Sequence, residues 1–353
     1  MKGIWSKTIP LALGVAAAML AAPGSAWPQT TPFERLSAEQ FDATPPSALV
    51  HGAPGRMSVR STACRDLPAG ETRRRIVDIA AQEWAFFGFY VIDQTGPSTR
   101  TRSSRGSRRW WWRPANAAEG VRIAPTIAGY WAATPRGPWM IDRQNGRWNG
   151  PGGLTSRWRD PWSAAFISWV MCEGGLGSPD RFQRAIAHHF YVDQAIRARD
   201  ASSASSDAES LSAAFVAYDI GEAAVEPGDL LCSSRRSSYT SIAQRRRNLG
   251  VGARMHCDVV VGLEPDRERI LTIGGNVRGT VGLKLMPAAL RNGRLAPTRR
   301  LFAHLKLRAD PIGNDALSAS PTLQALETAP GVRLPAAVAD LIPSPARAAG
   351  PGN

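Results

Sequence analysis

Residues 160–175 read DPWSAAFISWVMCEGG and residues 255–263 read MHCDVVVGL. The first stretch predicts a helix. Asp160 is an N-cap type, Pro161 suits the first helical position, and Phe166, Ile167, Val170 and Met171 make an apolar face before Gly174 and Gly175 stop it. The second predicts a strand, because His256 and Cys257 lead into an apolar β-branched run of strand length. Upstream, Thr72 to Gly88 has Ile76, Ile79, Ala80, Trp84 and Phe87 at helical spacing. Another helix is expected from near Ser178, with Pro179 in its first turn, to about Arg199. After a Ser-rich break at 201–212, strands are expected at Ala214 to Tyr218, Asp229 to Cys232, Cys257 to Leu263, Ile270 to Ile273, Val281 to Leu285 and Leu301 to Leu305. Helices first and strands afterwards is an α+β order and not a βαβ repeat.

The flanks are of a different kind. Residues 1–26 combine Lys2 and Lys7, an uncharged apolar run from Ile9 to Ala22, and the small residues Gly24, Ser25 and Ala26. That is the pattern of a signal peptide cleaved near Ala26, which puts the mature chain in the bacterial periplasm or outside the cell, with no stable membrane span after cleavage. Residues 27–71 read as an extended N-terminal segment, 72–308 as the folded domain, with an Arg/Trp-rich insertion at about 93–158, and 309–353 as a flexible tail.

Lys plus Arg is 43 against 29 for Asp plus Glu, a net charge of +14. Removing residues 1–26 deletes two lysines and no acid, leaving +12, almost all of it arginine because only Lys284 and Lys306 remain. A surface of guanidinium groups suits an anionic partner, here peptidoglycan or another anionic envelope polymer. Solvated surface charge is the plainer account, and nucleic acid is the less favoured partner. Cys64, Cys172, Cys232 and Cys257 permit up to two disulfides in an oxidising compartment. Their spacing is too wide for a zinc cluster, so no metal and no cofactor are expected.

Three features bear on chemistry. Ser163 opens a helix, where unpaired amides and the helix dipole favour developing negative charge, although serine there also serves simply as a helix-start residue. His256 starts a strand. Asn276, after Gly274 and Gly275 at the end of the next strand, offers an amide to orient an imidazole, though Gly-Gly-Asn is equally a turn sequence. Asp258, two residues along the same strand face from His256, is an alternative orienter or an ion-pair partner. His189 shares a helical stripe with Phe182, Ile186 and Ile196 and reaches the cleft or the core. Trp110, Trp111 and Trp112 among arginines suit stacking on sugars, or cover a core edge from a surface loop.

The segment PWSAAFISWVM at 161–171 resembles the P-W-C-A-A-F-V helix start of CHAP-type and NlpC-type amidases and endopeptidases that cut peptidoglycan. EPGDLL at 226–231, HCDVVVGL and TIGGN complete the resemblance. With RRIVDIAAQEWAFFG and IAHHFY, the whole set is similar to an uncharacterised family of exported bacterial proteins, a domain of unknown function, in which serine replaces the cysteine. The resemblance implies a papain-like fold with N-terminal helices on an antiparallel sheet, Ser163 as nucleophile, His256 as base and Asn276 as orienter, with Trp162, His189, Asp258 and Trp110 to Trp112 at the substrate. It implies an amide-bond hydrolase of the cell wall. The alternative is a catalytically inactive cell-wall or glycan binding protein on the same fold, since a serine must lose its proton during attack where a thiol is already partly ionised.

Overall fold

A computed structural model describes residues 33–96, 117–204, 212–235, 238–328 and 336–339. The stretch read as an export signal and Trp110 to Trp112 lie outside the described residues. In chain order the described α-helices are α1 (Ala69–Phe86), α2 (Ala117–Ala132), α3 (Gly137–Trp148), α4 (Ser163–Glu173), α5 (His189–Ala204), α6 (Ile242–Arg246), α7 (Pro321–Thr328) and α8 (Ala336–Ala339). The strands are β1 (Val50–His51), β2 (Ser58–Val59), β3 (Tyr90–Asp93), β4 (Phe215–Tyr218), β5 (Leu230–Ser234), β6 (Met255–Glu264), β7 (Arg269–Val277), β8 (Thr280–Arg291), β9 (Arg294–Pro297) and β10 (Ala303–Leu307). The architecture is α+β.

The main sheet runs β3-β8-β7-β6-β5-β10-β4, with β9 paired to the far end of β8. Neighbours are antiparallel except β3, which lies parallel to β8 with Tyr90 opposite Gly282. The sheet is therefore mixed where a wholly antiparallel one was expected. The reason is local: Gly88 (φ +86) and Phe89 (φ +57) turn the chain out of α1 and lay the next four residues along the edge of β8. The strands Leu230–Ser234, Met255–Glu264, Arg269–Val277 and Thr280–Arg291 stand where strands were expected, each longer than or offset from the expected segment. Their buried residues Val259, Val261, Ile273, Val281 and Leu283 meet α1 and α4 in one apolar core.

The region expected as an insertion is in part core. Ala128, Tyr130 and Trp131 of α2 and Ile141 of α3 are buried, because α2 covers the flank of α4 and α3 packs on α2. The C-terminal stretch is likewise packed as far as it is described. Leu317, Leu323 and Leu326 are buried, and α7 lies on α1. An apolar face outweighed a Pro- and Ala-rich composition. The N-terminal segment crosses the core as an extended strap, pinned where Arg35 Nη2 donates to Glu83 Oε2 at 2.8 Å. Disulfides Cys64–Cys172 and Cys232–Cys257 tie that strap to the end of α4 and tie β5 to β6. No described helix is long and apolar enough to cross a membrane.

Candidate functional site

α4 begins two residues later than its sequence suggests. Trp162 is its N-cap residue and supplies no side-chain cap, and the first internal bond runs from Phe166 N–H to the Trp162 carbonyl at 2.9 Å. Asp160, expected as the cap, faces Arg143 at 3.6 Å instead. What fixes the start is packing: the Trp162 ring stacks between Phe87 (5.8 Å) and Tyr130 (5.7 Å). Trp162, 2% exposed, thus belongs to the core and not to a substrate surface. The consequence is chemical. The amides of Ser163, Ala164 and Ala165 precede the first helical hydrogen bond, and no described residue accepts from them.

Ser163 is buried, and its Oγ lies 2.7 Å from Nε2 of His188. His188 is a site residue that the sequence reading missed by one position. The expected helix from Ser178 would put His189 on the inner face, but α5 starts only at His189. Ser168 of α4 breaks the earlier segment: its Oγ donates to the Ala185 carbonyl at 3.1 Å and accepts from the Ala185 N–H at 3.0 Å. His188 becomes the residue before the helix, its carbonyl accepting from Val192 N–H at 3.2 Å. Its other ring nitrogen, Nδ1, is hydrogen-bonded to the Tyr191 hydroxyl. His189 stacks on Phe190 at 4.3 Å instead, and its Nδ1 has no partner. The IAHHFY motif held the signal in its first histidine, legible only once the helix start is known.

His256 sits on β6 with its ring 5.5 Å from that of His188. Its Nε2 is 2.9 Å from Asp258 Oδ1, and both residues lie on one face of the strand, as period-two geometry requires. Lys284 reaches over from β8, with Nζ 2.7 Å from each Asp258 oxygen and 3.0 Å from His256 Nε2. That reach is possible because the intervening strand β7 presents Gly274, whose missing Cβ would occupy the space of Asp258 Oδ1. Gly275 similarly lets α4 close on β7, since a Cβ there would overlap Phe166. Gly-Gly is strand interior here and not a turn. Asn276 follows at φ +55 beside a register break between Gly274 and Val277, and among the described residues its side chain makes no hydrogen bond to His256. The structure therefore brings together Ser163, His188, His256, Asp258 and Lys284, and leaves Asn276 aside.

The electrostatics follow from burial. Burial drives the His188 imidazole well below its ordinary value; the adjacent His256, Arg235 and Lys284 push the same way and Asp258 opposes them. His256 is also lowered, first by burial, with Asp258 acting against it and Lys284 with it. For Asp258 burial raises the carboxyl, but Lys284 and His256 outweigh that and hold it below the carboxylate range. Near neutral pH the site thus contains two neutral imidazoles beside one carboxylate paired with one ammonium. Among the described residues the buried His256 Nδ1 has no partner, and it carries the lone pair when Nε2–H points at Asp258 while the Lys284 protons go to the two Asp258 oxygens. Among the described residues no three His, Cys, Asp or Glu side chains form a metal-binding group.

A separate cleft at the β4 edge of the sheet is walled by Arg199, Tyr218, Glu226 and Lys306. Among the described residues no cysteine or histidine lines it, Arg199 and Lys306 are engaged by Glu222 and Glu226, and Arg308 donates to Ser202 Oγ.

The fold and site together define an α+β protein in which a helix-tip serine meets a buried histidine that packs against a second histidine on the sheet. Residues 109–308 match the family described as "Uncharacterized protein conserved in bacteria (DUF2272)", and the chain belongs to that family. Comparison with curated proteins and with solved structures returns no match.

Proposed function

We propose that this protein is an exported serine hydrolase of papain-like design that cleaves amide bonds of peptidoglycan peptides. The observation that carries the reading is the convergence of the Ser163 hydroxyl, at the uncapped start of α4, with a histidine cluster that a carboxylate orients. Ser163 Oγ attacks the carbonyl, His256 takes the proton on Nδ1, and Asp258 holds the ring and stabilises the imidazolium as it forms. Asp258 takes the orienting role first assigned to Asn276. Ser163 Oγ is bonded to His188 in the resting state, so it must exchange partners on attack, in keeping with catalytic contacts that tighten only around substrate. The basic, arginine-rich surface and the N-terminal signal pattern support an anionic wall polymer as substrate and the periplasm or exterior as the place of work.

Release of muropeptides from purified cell wall tests the reading. Ser163→Ala abolishes it if Ser163 is the nucleophile, while Ser163→Cys retains or raises it. Turnover unchanged in Ser163→Ala removes the serine from the mechanism. Wall binding without turnover in the wild type leaves the binding-protein alternative.

A further inference from the structure

We propose that His188 is a hydrogen-bond donor and not the base of this site: Tyr191 fixes its tautomer so that Nε2–H points at the Ser163 oxygen and serves the oxyanion. The catalytic consequence rests on the hydrolase reading above, but the tautomer does not.

A neutral imidazole has one N–H, and both nitrogens of His188 are engaged, Nε2 with Ser163 Oγ at 2.7 Å and Nδ1 with the Tyr191 hydroxyl. Tyr191 decides between the two arrangements. It is 1% exposed, held by the Phe182 ring stacked on it at 4.9 Å, and its hydroxyl has no described partner except His188 Nδ1. If that hydroxyl accepted from Nδ1–H, its own hydrogen would be buried without a described acceptor, a cost of about 1–3 kcal/mol. The reverse arrangement instead frees the hydrogen of Ser163, which at 5% exposed on the helix tip is nearer to solvent and substrate than the 1% exposed phenol. The phenol therefore donates to Nδ1, the ring proton sits on Nε2, and Nε2–H donates to Ser163. Burial keeps this imidazole neutral, the state in which a histidine can act as a donor without surrendering a full charge.

The second imidazole is set the other way in function. Lys284 Nζ, although 3.0 Å from His256 Nε2, has both Asp258 oxygens nearer at 2.7 Å to take its protons, so Nε2–H is given to Asp258 at 2.9 Å and Nδ1, buried without a described partner, is left bare. The two rings, packed edge to face, thus divide the labour of donor and base. In acylation the Oγ–C bond forms, the Oγ proton passes to His256 Nδ1, and the carbonyl π pair becomes an oxyanion. Collapse breaks the C–N bond, and His256 returns its proton to the leaving amine. Once acylated, Oγ is a poor acceptor, so His188 Nε2–H is released to the carbonyl oxygen alongside the free amides of Ser163 to Ala165. Water then repeats the sequence and frees the acid.

The test begins without substrate. In the full-length protein with 15N-labelled histidine, one-bond proton–nitrogen correlations should show His188 protonated on Nε2 and bare on Nδ1. Tyr191→Phe should erase or reverse that preference. In muropeptide release, His188→Ala should lose about 10²–10³-fold in kcat, the scale for one oxyanion donor, and His188→Gln, which keeps an N–H donor but cannot serve as a base, should recover part of it. A wild-type spectrum with His188 protonated on Nδ1 overturns the proposal, and so does His188→Gln no more active than His188→Ala. Failure of the hydrolase reading looks different: Ser163→Ala would retain turnover whatever the spectra show.

Discussion

Gly274 stands so close to Asp258 that a Cβ at 274 would overlap the carboxylate oxygen and touch His256 Nε2 at 3.2 Å. The absence of a side chain on β7 is what lets Lys284 of β8 and the His256–Asp258 pair of β6 meet across an intervening strand. Gly274→Ala should therefore displace Asp258 and cut muropeptide release by about 10²-fold or more, the range that general base catalysis contributes. The effect belongs to the site and not to the fold, so the thermal midpoint should fall far less than the rate. Activity equal to wild type in Gly274→Ala would mean that Asp258 does not hold the base.

Lys284 sets the pH range of that base. The groups facing His256 are Asp258, Lys284, Arg235 and His188. Of these Lys284 lowers the imidazole value and Asp258 raises it. The base must be neutral to accept a proton, so activity falls as pH drops through its folded value. Lys284→Met removes a lowering charge, which moves the acid limb of kcat/KM to higher pH and costs about tenfold at the acid end per unit moved. Lys284→Arg keeps the charge and should leave the limb nearer its original place. A limb that stays put in Lys284→Met disproves the assignment.

How much of this was written in the sequence varies with the kind of interaction. Strands such as Met255–Glu264 were legible because an apolar, β-branched run is a local signal. His256 and Asp258 shared a face because side chains two apart on a strand point the same way. His188 was not legible, because a helix running from Ser178 gives an unbroken apolar stripe, and only Ser168, reaching from another helix to clamp Ala185, interrupts it. Lys284 was visible only as one of few lysines, since its role depends on a contact across β7. Gly274 and Gly275 read as a turn because close approach of a neighbour leaves no mark on the chain that makes room for it. Trp162 read as a substrate contact because aromatic residues serve both cores and sugars, and stacking on Phe87 and Tyr130 chose the core.

Asp229, the acid of EPGDLL, predicts a stability effect away from the site. It is wholly buried and accepts from Arg73 Nη1 at 2.8 Å, pairs with His304 Nε2 at 2.7 Å and receives Leu307 N–H at 3.0 Å. Burial raises its carboxyl, but His304 and Arg73 more than reverse that. Removing one member of a buried ionic cluster strands the others, at about 3–5 kcal/mol. Asp229→Asn should lower stability by that order in denaturant unfolding, whereas Ser163→Ala, which leaves only the His188 Nε2–H unpaired, should cost less, about 1–3 kcal/mol. Unchanged stability in Asp229→Asn would show that the cluster does not bear on folding.

Asp78 should give the protein an alkaline weakness. It lies buried on α1 with Oδ1 unpartnered, and burial pushes its carboxyl up from 3.8 to about 7 against the pull of Arg74 and Arg75. The folded value exceeds the unfolded one, so the folded state holds the proton more tightly. The resulting stability is fully present below pH 3.8 and is lost progressively as pH rises through about 7. At one pKa unit per 1.36 kcal/mol, the loss is at most about 4 kcal/mol. Asp78→Asn removes the titration, so its unfolding free energy should vary less than the wild type's between pH 5 and 8, and the two curves should diverge with rising pH. Parallel curves over that interval would show that Asp78 ionises in the folded protein as it does in water.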